Sequence, residues 1–274
     1  LSELTMLIKS LPQLDVLKTA ESGQCFRFIE VKKNLFRLIA FNKVLFIELL
    51  GDSKIKFHCS EEEFNSIWFK YFDLDTNYEP WLHEPKDAFM KSAIRDGYGI
   101  RMLRQDKFET LISFIISQRK NIPAIQSSIE KLSRLFGRPL DEKGEAFSFP
   151  SPERLANASL DELYSCSLGY RAPYILETSR AISTLPKILD DFDFLSDEEL
   201  LKTLMGFKGV GIKVASCTAL FSYHRLGIFP RDVWILRMER KHYDGHFPDE
   251  NYPGFAGLLQ QYAFYEMRLH DKRE

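Results

Sequence analysis

The sequence predicts an α+β fold, an N-terminal antiparallel β-sheet domain packed on an all-helical domain, on three observations. Residues 25 to 59 alternate apolar and polar positions in short runs broken by turn residues. From about residue 88 to 270 the apolar spacing takes the period of a helix. At 274 residues, 45% hydrophobic and 14% aromatic, the chain can bury a sizeable core, which excludes disordered and fibrous classes.

The sheet comes first. CFRFIEV, LFRLIAF, VLFIELL and IKFHC are separated by KKN, NK and GDS, the pattern of a half-buried antiparallel meander. Beyond Ser60 the period becomes helical: Ser60 and Glu63 have capping-box spacing, and Phe64, Ile67 and Trp68 share one face. The sheet domain with its flanking helices is placed at residues 1–87 and the helical domain at 88–274. In the latter, KFETLISFIISQ is almost wholly apolar after its first turn and predicts a central buried helix. A second helix runs from about Ile122 to Phe136 and stops at Gly137. Ser151-Pro152 opens another with proline at the first helical position, and the pairs Ser159/Glu162 and Ser196/Glu199 repeat the capping-box signature. AGLLQQYAFYEMRL is a last amphipathic helix.

The overall charge is −2, with 37 Lys+Arg against 39 Asp+Glu, but its distribution is uneven. Residues 101–140 carry eight basic and three acidic side chains, and residues 201–240 carry seven and two, a local +5 in each. Two such segments either form one positive face for a polyanion or are two ordinary solvated faces. Cys25, Cys59, Cys166 and Cys217 lie far apart with no C-x-x-C, so neither zinc nor an iron–sulfur cluster finds its usual spacing, and free thiols are expected. No run of about eighteen apolar residues spans a membrane, and LSELTMLIKSLPQ lacks the basic start of a secretory signal. An intracellular monomer is expected, cytoplasmic or at the nucleoid if the source is prokaryotic.

The most specific segment is Ser196 to Arg237. The helix DEELLKTLMGF meets Lys208-Gly209-Val210-Gly211, and another helix starts near Ile212-Lys213. Two glycines two apart let the backbone turn tightly and expose N–H groups at a helix N-terminus, which suits a phosphate. G-F-K-G-V-G-x-K therefore reads as a helix-hairpin-helix that grips DNA backbone, or equally as an αα-corner whose glycines serve close packing. Asp232, in Phe229-Pro230-Arg231-Asp232-Val233, is expected to cap the next helix. A carboxylate at a helix N-terminus is expected to be held ionised, where it can stabilise positive charge on a sugar.

Together these motifs resemble the helix-hairpin-helix (HhH-GPD) DNA glycosylase superfamily and, within it, the 8-oxoguanine DNA glycosylase/AP lyases. Further matches run along the chain: Ser22-Gly23-Gln24-Cys25-Phe26-Arg27 is similar to S-G-Q-x-F-R, Tyr71-Phe72-Asp73-Leu74-Asp75 to Y-F-x-L-D, Arg101-Met102-Leu103-Arg104-Gln105-Asp106 to R-L-L-R-Q-D, and Leu168-Gly169-Tyr170-Arg171-Ala172 to L-G-Y-R-A. The resemblance implies base-excision repair of duplex DNA containing 8-oxoguanine. Lys213 would be the amine that forms a Schiff base at C1′ and permits β-elimination, and it must be partly neutral to attack. Asp232 would stabilise the oxocarbenium-like sugar.

The extruded base would lie between Cys217 and Phe264, with Gln260 on its Watson–Crick edge and the Gly23 carbonyl accepting the N7–H that distinguishes 8-oxoguanine. Cys217 is one helical turn beyond Lys213, and Phe264 one turn beyond Gln260. Without the resemblance, Cys217 and Phe264 read as ordinary core. Tyr170 would wedge the opposite strand and Arg171 read the orphan cytosine. Lys208, Gly209 and Gly211 would hold phosphate, and Arg119 and Asn121 lie in the DNA-facing loop 117–124. That loop departs from the eukaryotic pattern, with Arg119 in place of a gap-filling asparagine and Ala124 in place of a second cytosine-reading arginine, so a relaxed opposite-base preference is expected. No cofactor is required, although hairpin carbonyls could chelate a structural monovalent or divalent cation, and no catalytic metal is expected. The competing readings are a glycosylase for another damaged purine and a non-catalytic helix-hairpin-helix module.

Overall fold

A computed structural model describes residues 6–185 and 187–271. The first five residues of the LSELTMLIKSLPQ start and the last three of the helical domain lie outside the described residues. The chain opens with strand β1 (Leu7–Ser10) and helix α1 (Val16–Glu21), capped by Asp15. β2 (Phe28–Lys32), β3 (Leu35–Ala40), β4 (Lys43–Gly51) and β5 (Lys54–Phe57) then form the expected meander. All five strands make one antiparallel sheet in the order β1-β5-β4-β3-β2. The register stacks apolar residues on one face, with Phe28 opposite Leu38, Leu38 opposite Leu45 and Ile47 opposite Phe57, all buried. The other face is wet, where Glu48 lies across from Lys56 and pairs with it. β1 has no counterpart in the sequence reading, because four residues on an edge carry too little alternation to be recognised.

The apolar face packs on a short helical segment made of α2 (Glu61–Glu63), a π-type turn at Phe64–Trp68 and α3 (Phe69–Tyr71). The expected capping box is only half formed here. Ser60 accepts from Glu63 N at 3.1 Å, but the Glu63 carboxylate turns instead to Trp68 Nε1 and Lys43 Nζ. The reason is tertiary: Trp68 is fully buried and its N–H requires an acceptor.

The remaining elements are helical: α4 (Glu79–Leu82), α5 (Ala88–Gly97), α6 (Lys107–Ser117), α7 (Ile122–Phe136), α8 (Pro152–Ala156), α9 (Leu160–Ser165), α10 (Ala172–Ser183), α11 (Ile188–Asp191), α12 (Asp197–Leu204), α13 (Ile212–Ser222), α14 (Val233–His242) and α15 (Ala256–Asp271). An isolated bridge, Pro139 with Phe147, interrupts them. The predicted α6 is the buried centre, and α7 ends at Gly137 as expected. Ser151 caps α8, and both later capping boxes close reciprocally, at Ser159/Glu162 and Ser196/Glu199.

Two apolar cores meet across the irregular segment 99–105. Leu103 packs into the sheet core, while Phe26 and Tyr78 pack into the helical one. Gln24, fully buried, laces this seam: its Nε2 donates to Arg101 O at 2.9 Å and its Oε1 accepts from Leu103 N at 2.7 Å. Asp73 is the other fastener. It sits in the left-handed region (φ 51°), accepts from Arg104 Nε at 2.9 Å, Thr76 Oγ1 at 2.8 Å and the Tyr78 hydroxyl, and lies 3.2 Å from His224 Nε2, just past the end of α13. The S-G-Q-x-F-R, Y-F-x-L-D and R-L-L-R-Q-D stretches are thus largely the stitching that holds the two layers in register.

Candidate active site

A cleft of about 880 Å³ opens where the loop after α1, the α6–α7 loop, α13, the start of α14 and α15 converge. Gly23, Arg119, Asn121, Lys213, Cys217, Asp232, Gln260 and Phe264 all line it.

Lys213 and Cys217 come from α13, whose first N–H groups have no side-chain cap; Gly211 occupies the N-cap position and Ile212 beside it is exposed. Those donors face outward with the positive end of the helix dipole, an arrangement made for an anion. Lys213 Nζ donates to Ser117 Oγ at 3.3 Å and sits 4.9 Å from the centre of the Phe114 ring. Phe114 stacks on Phe221 at 5.4 Å, so α6 and α13 are clamped and the lysine is held over an aromatic floor. Burial pushes the Cys217 thiol up to about 11, so the neutral thiol faces the cleft.

Asp232 caps α14 as expected. Trp234 N and Ile235 N donate to Oδ1 at 2.9 and 3.0 Å, so the cap does not use Oδ2. Opposing influences act on the charge of this carboxyl. Burial pushes its pKa above the ordinary aspartate value, and the two N–H groups, Lys213 and Arg268 offset this only in part.

On α15, Gln260 and Phe264 stack one turn apart as the spacing requires, and Gln261 Nε2 donates to Gln260 Oε1 at 2.9 Å. Gly23 (φ 75°) lies against the Phe264 ring: a Cβ there would stand 2.8 Å from Phe264 Cε1. Both the backbone angle and the close approach therefore require glycine.

Lys208, Gly209, Gly211, Tyr170 and Arg171 lie outside the cleft lining but are tied to it. Gln118 is the link: its Nε2 donates to Gly209 O at 3.0 Å, and its own carbonyl accepts from Arg171 Nη2. Gly209 (φ 78°) needs its missing side chain, since a Cβ would strike the Tyr174 ring at 2.3 Å. Gly211 does not: its φ is −93° and the space around it is open, so its value lies in leaving the α13 N-terminus bare. Lys208 is exposed at the hairpin, 3.8 Å from Glu177. Tyr170 is exposed and edges Tyr174 at 6.0 Å. Arg171 is only 6% exposed, with its guanidinium on the Leu168 and Gln118 carbonyls and 4.3 Å from the Tyr170 ring centre. Asn121 caps α7 by accepting from Ala124 N at 3.0 Å, and Arg119, exposed, is held at φ 52°. A left-handed arginine beside a cleft stores backbone strain there.

Two residues were missed by the sequence reading. Arg268 lies one turn beyond Phe264, 5.5 Å from its ring centre, and its Nη1 donates to Glu21 O at 2.6 Å, ahead of the Gly23 loop. The 260-264-268 spacing could have flagged it. Ser117, buried beneath Lys213, had no signal beyond its place in the loop.

Known proteins resemble this chain along most of its length. The family described as "8-oxoguanine DNA glycosylase, N-terminal domain" matches residues 6–111, and "HhH-GPD superfamily base excision DNA repair protein" matches residues 112–248. The chain belongs to the 8-oxoguanine DNA glycosylase family. A Methanothermobacter thermautotrophicus protein named "Probable N-glycosylase/DNA lyase" is 34% identical over 230 residues, 74% of this chain and 73% of that protein. The Saccharomyces cerevisiae N-glycosylase/DNA lyase is 33% identical over 220 residues, 74% of this glycosylase but 56% of the yeast protein. The Clostridium acetobutylicum 8-oxoguanine glycosylase/lyase, solved with double-stranded DNA containing cytosine opposite 8-oxoguanine, superposes with a TM-score of 0.90 at 31% identity, covering 97% of this glycosylase and 98% of that chain. Among the described residues no helix is long and apolar enough to cross a membrane.

Proposed function

We propose that this glycosylase flips 8-oxoguanine out of duplex DNA, excises it and nicks the strand. The observation that carries the reading is the convergence, in one cleft, of an amine, a carboxylate, a thiol, an aromatic ring and an amide drawn from separate parts of the chain. The base enters between the Cys217 thiol and the Phe264 ring, Gln260 bonds its edge, and the Gly23 carbonyl accepts N7–H, which guanine lacks. Lys213 Nζ, as the free amine, bonds to C1′ while the C1′–N9 bond breaks and the base departs with the electron pair and picks up a proton. Ring opening leaves an iminium at C1′, and loss of a C2′ proton then expels the 3′-phosphate. Asp232 supplies negative charge beside the cationic sugar and, with its raised pKa, can also relay a proton. The bare N-terminus of α13 and the Lys208–Gly211 turn hold the phosphates flanking the lesion.

A structural cation at the hairpin would have carbonyl ligands only. Phe207 O and Gly209 O already accept from Val210 N and Gln118 Nε2, and no group of three His, Cys, Asp or Glu ligand atoms converges there among the described residues. Such a donor set, with spare lone pairs but no carboxylate, fits a weakly held monovalent ion better than a divalent one.

Borohydride trapping on an oligonucleotide with one 8-oxoguanine tests the chemistry. Wild type should become covalently attached, and Lys213→Gln should bind the duplex without attaching. Undiminished strand scission by the variant overturns the role of Lys213. Opposite-base selection should be shallow, because Ala124 offers no donor and Arg171 is committed to carbonyls. Excision from four duplexes differing only in the opposite base should proceed at comparable rates, and Ala124→Arg should steepen the preference for cytosine; a steep cytosine preference in wild type overturns the reading.

A further inference from the structure

Away from the cleft, Glu266 and His270 sit one turn apart on α15 and face Asp96 near the end of α5. One ligand atom from each lies within 4.8 Å of the other two. Glu266 is 3% exposed, yet only half of its carboxylate is provided for. Oε1 accepts from Ser92 Oγ at 3.0 Å and meets His270 Nε2 at 3.0 Å, whereas Oε2 is shut off from solvent with no hydrogen-bond partner. A desolvated carboxylate oxygen left unpaired is costly, and its presence calls for a further positive partner.

We propose that Asp96, Glu266 and His270 form a binding site for one divalent transition-metal ion of the zinc type. One imidazole and two carboxylates are a borderline donor set that suits Zn²⁺ and its first-row neighbours rather than Mg²⁺ or Ca²⁺. Bonds of about 2.0–2.2 Å at tetrahedral angles set ligand atoms roughly 3.3–3.6 Å apart, so Asp96, whose ligand atom lies within 4.8 Å of the other two, has to close in by up to about 1.5 Å. Its side chain is 28% exposed and that of His270 53%, so both can adjust and an ion can enter. Glu266, taken in bidentate fashion, gives Oε2 its missing partner. The only cation now bound to the cluster among the described residues is Arg95, whose Nε donates to Asp96 Oδ1 at 3.0 Å and whose Nη2 donates to Ser92 Oγ at 2.9 Å. That side chain is 73% exposed and can swing away at little cost. Water fills the remaining positions of an open sphere. The site is a clip: it ties α5 to the helix that carries Gln260 and Phe264.

A second trio, His246, Asp249 and Glu250, supplies the control. Its His246 and Glu250 side chains are each 64% exposed, and it contains no orphaned buried oxygen. The test is calorimetric titration of the chelator-treated full chain with Zn²⁺, with Co²⁺ as an absorbing probe and thermal unfolding as a second readout. Wild type should bind one equivalent and unfold at higher temperature with the ion. Asp96→Asn and His270→Gln should each weaken binding at least about tenfold while unfolding like wild type in chelator, and His246→Gln should change nothing. Absence of stoichiometric binding, or binding that survives both Asp96→Asn and His270→Gln, overturns the proposal.

Discussion

Asp73 and Asp232 begin from similar circumstances and end in opposite states. Each is a carboxylate withdrawn from bulk water, beside a cation, where separate parts of the chain meet. Asp73 is saturated: burial works against its charge, but His224, Tyr78 and Arg104 outweigh it and bring its pKa down to about 2. Asp232 is undersupplied: burial outweighs its two N–H donors and Lys213, so its pKa rises, and one oxygen is left out of the cap. The donors a fold aims at a buried carboxylate thus decide whether it becomes a rivet or a reagent.

Deleting each carboxylate breaks the comparison most sharply. Asp73→Ala leaves Arg101 and the inner part of Arg104 facing an emptied site, and should cost about 3–5 kcal/mol of unfolding free energy in urea, while excision per folded molecule stays near wild type. Asp232→Asn should do the reverse. Excision falls about 10²–10³-fold, whereas the amide still caps α14 and stability moves by less than about 1 kcal/mol. Activity lost only in step with stability would make Asp232 a second rivet.

Acid separates the pair by sign. The folded pKa of Asp73 lies below its unfolded value, so its contribution is present above about pH 4 and is lost as pH falls toward 2; the shift is worth roughly 2 kcal/mol. Denaturation of wild type against Asp73→Asn should show that difference shrinking across this window. The pKa of Asp232 is raised, so excision, which needs its carboxylate, should fail on the acid side at a higher pH than an ordinary aspartate allows, and Asp232→Asn should remove that limb. The smallest effect on specificity is expected at Gly23→Ala, where a positive φ and the Phe264 ring both resist a methyl group. Losing one recognition hydrogen bond should cut the preference for 8-oxoguanine over guanine by about 1 kcal/mol in competition assays.

Much of this was legible in one dimension. The meander, the central helix, the caps at Ser151, Ser159, Ser196 and Asp232, and the one-turn spacings Lys213–Cys217 and Gln260–Phe264 all depend on residues within a few positions of each other. The short motifs were visible too, but their meaning was not. Gln24 and Asp73 proved to be fasteners, and Glu63 abandoned a capping box for a buried indole.

The sequence by itself determined the periodicities, the caps and the set of chemically able side chains, because helix and strand signals are short-ranged. Only the tertiary structure decided what those side chains became. It turned Arg171 inward onto two carbonyls, raised Asp232 and lowered Asp73, placed Arg268 against Phe264, and brought Asp96 to Glu266 and His270 across the chain. Desolvation and hydrogen-bond supply are set by groups remote in sequence that arrive only when the core closes, and those two quantities fix the charge, orientation and reactivity of a buried polar group.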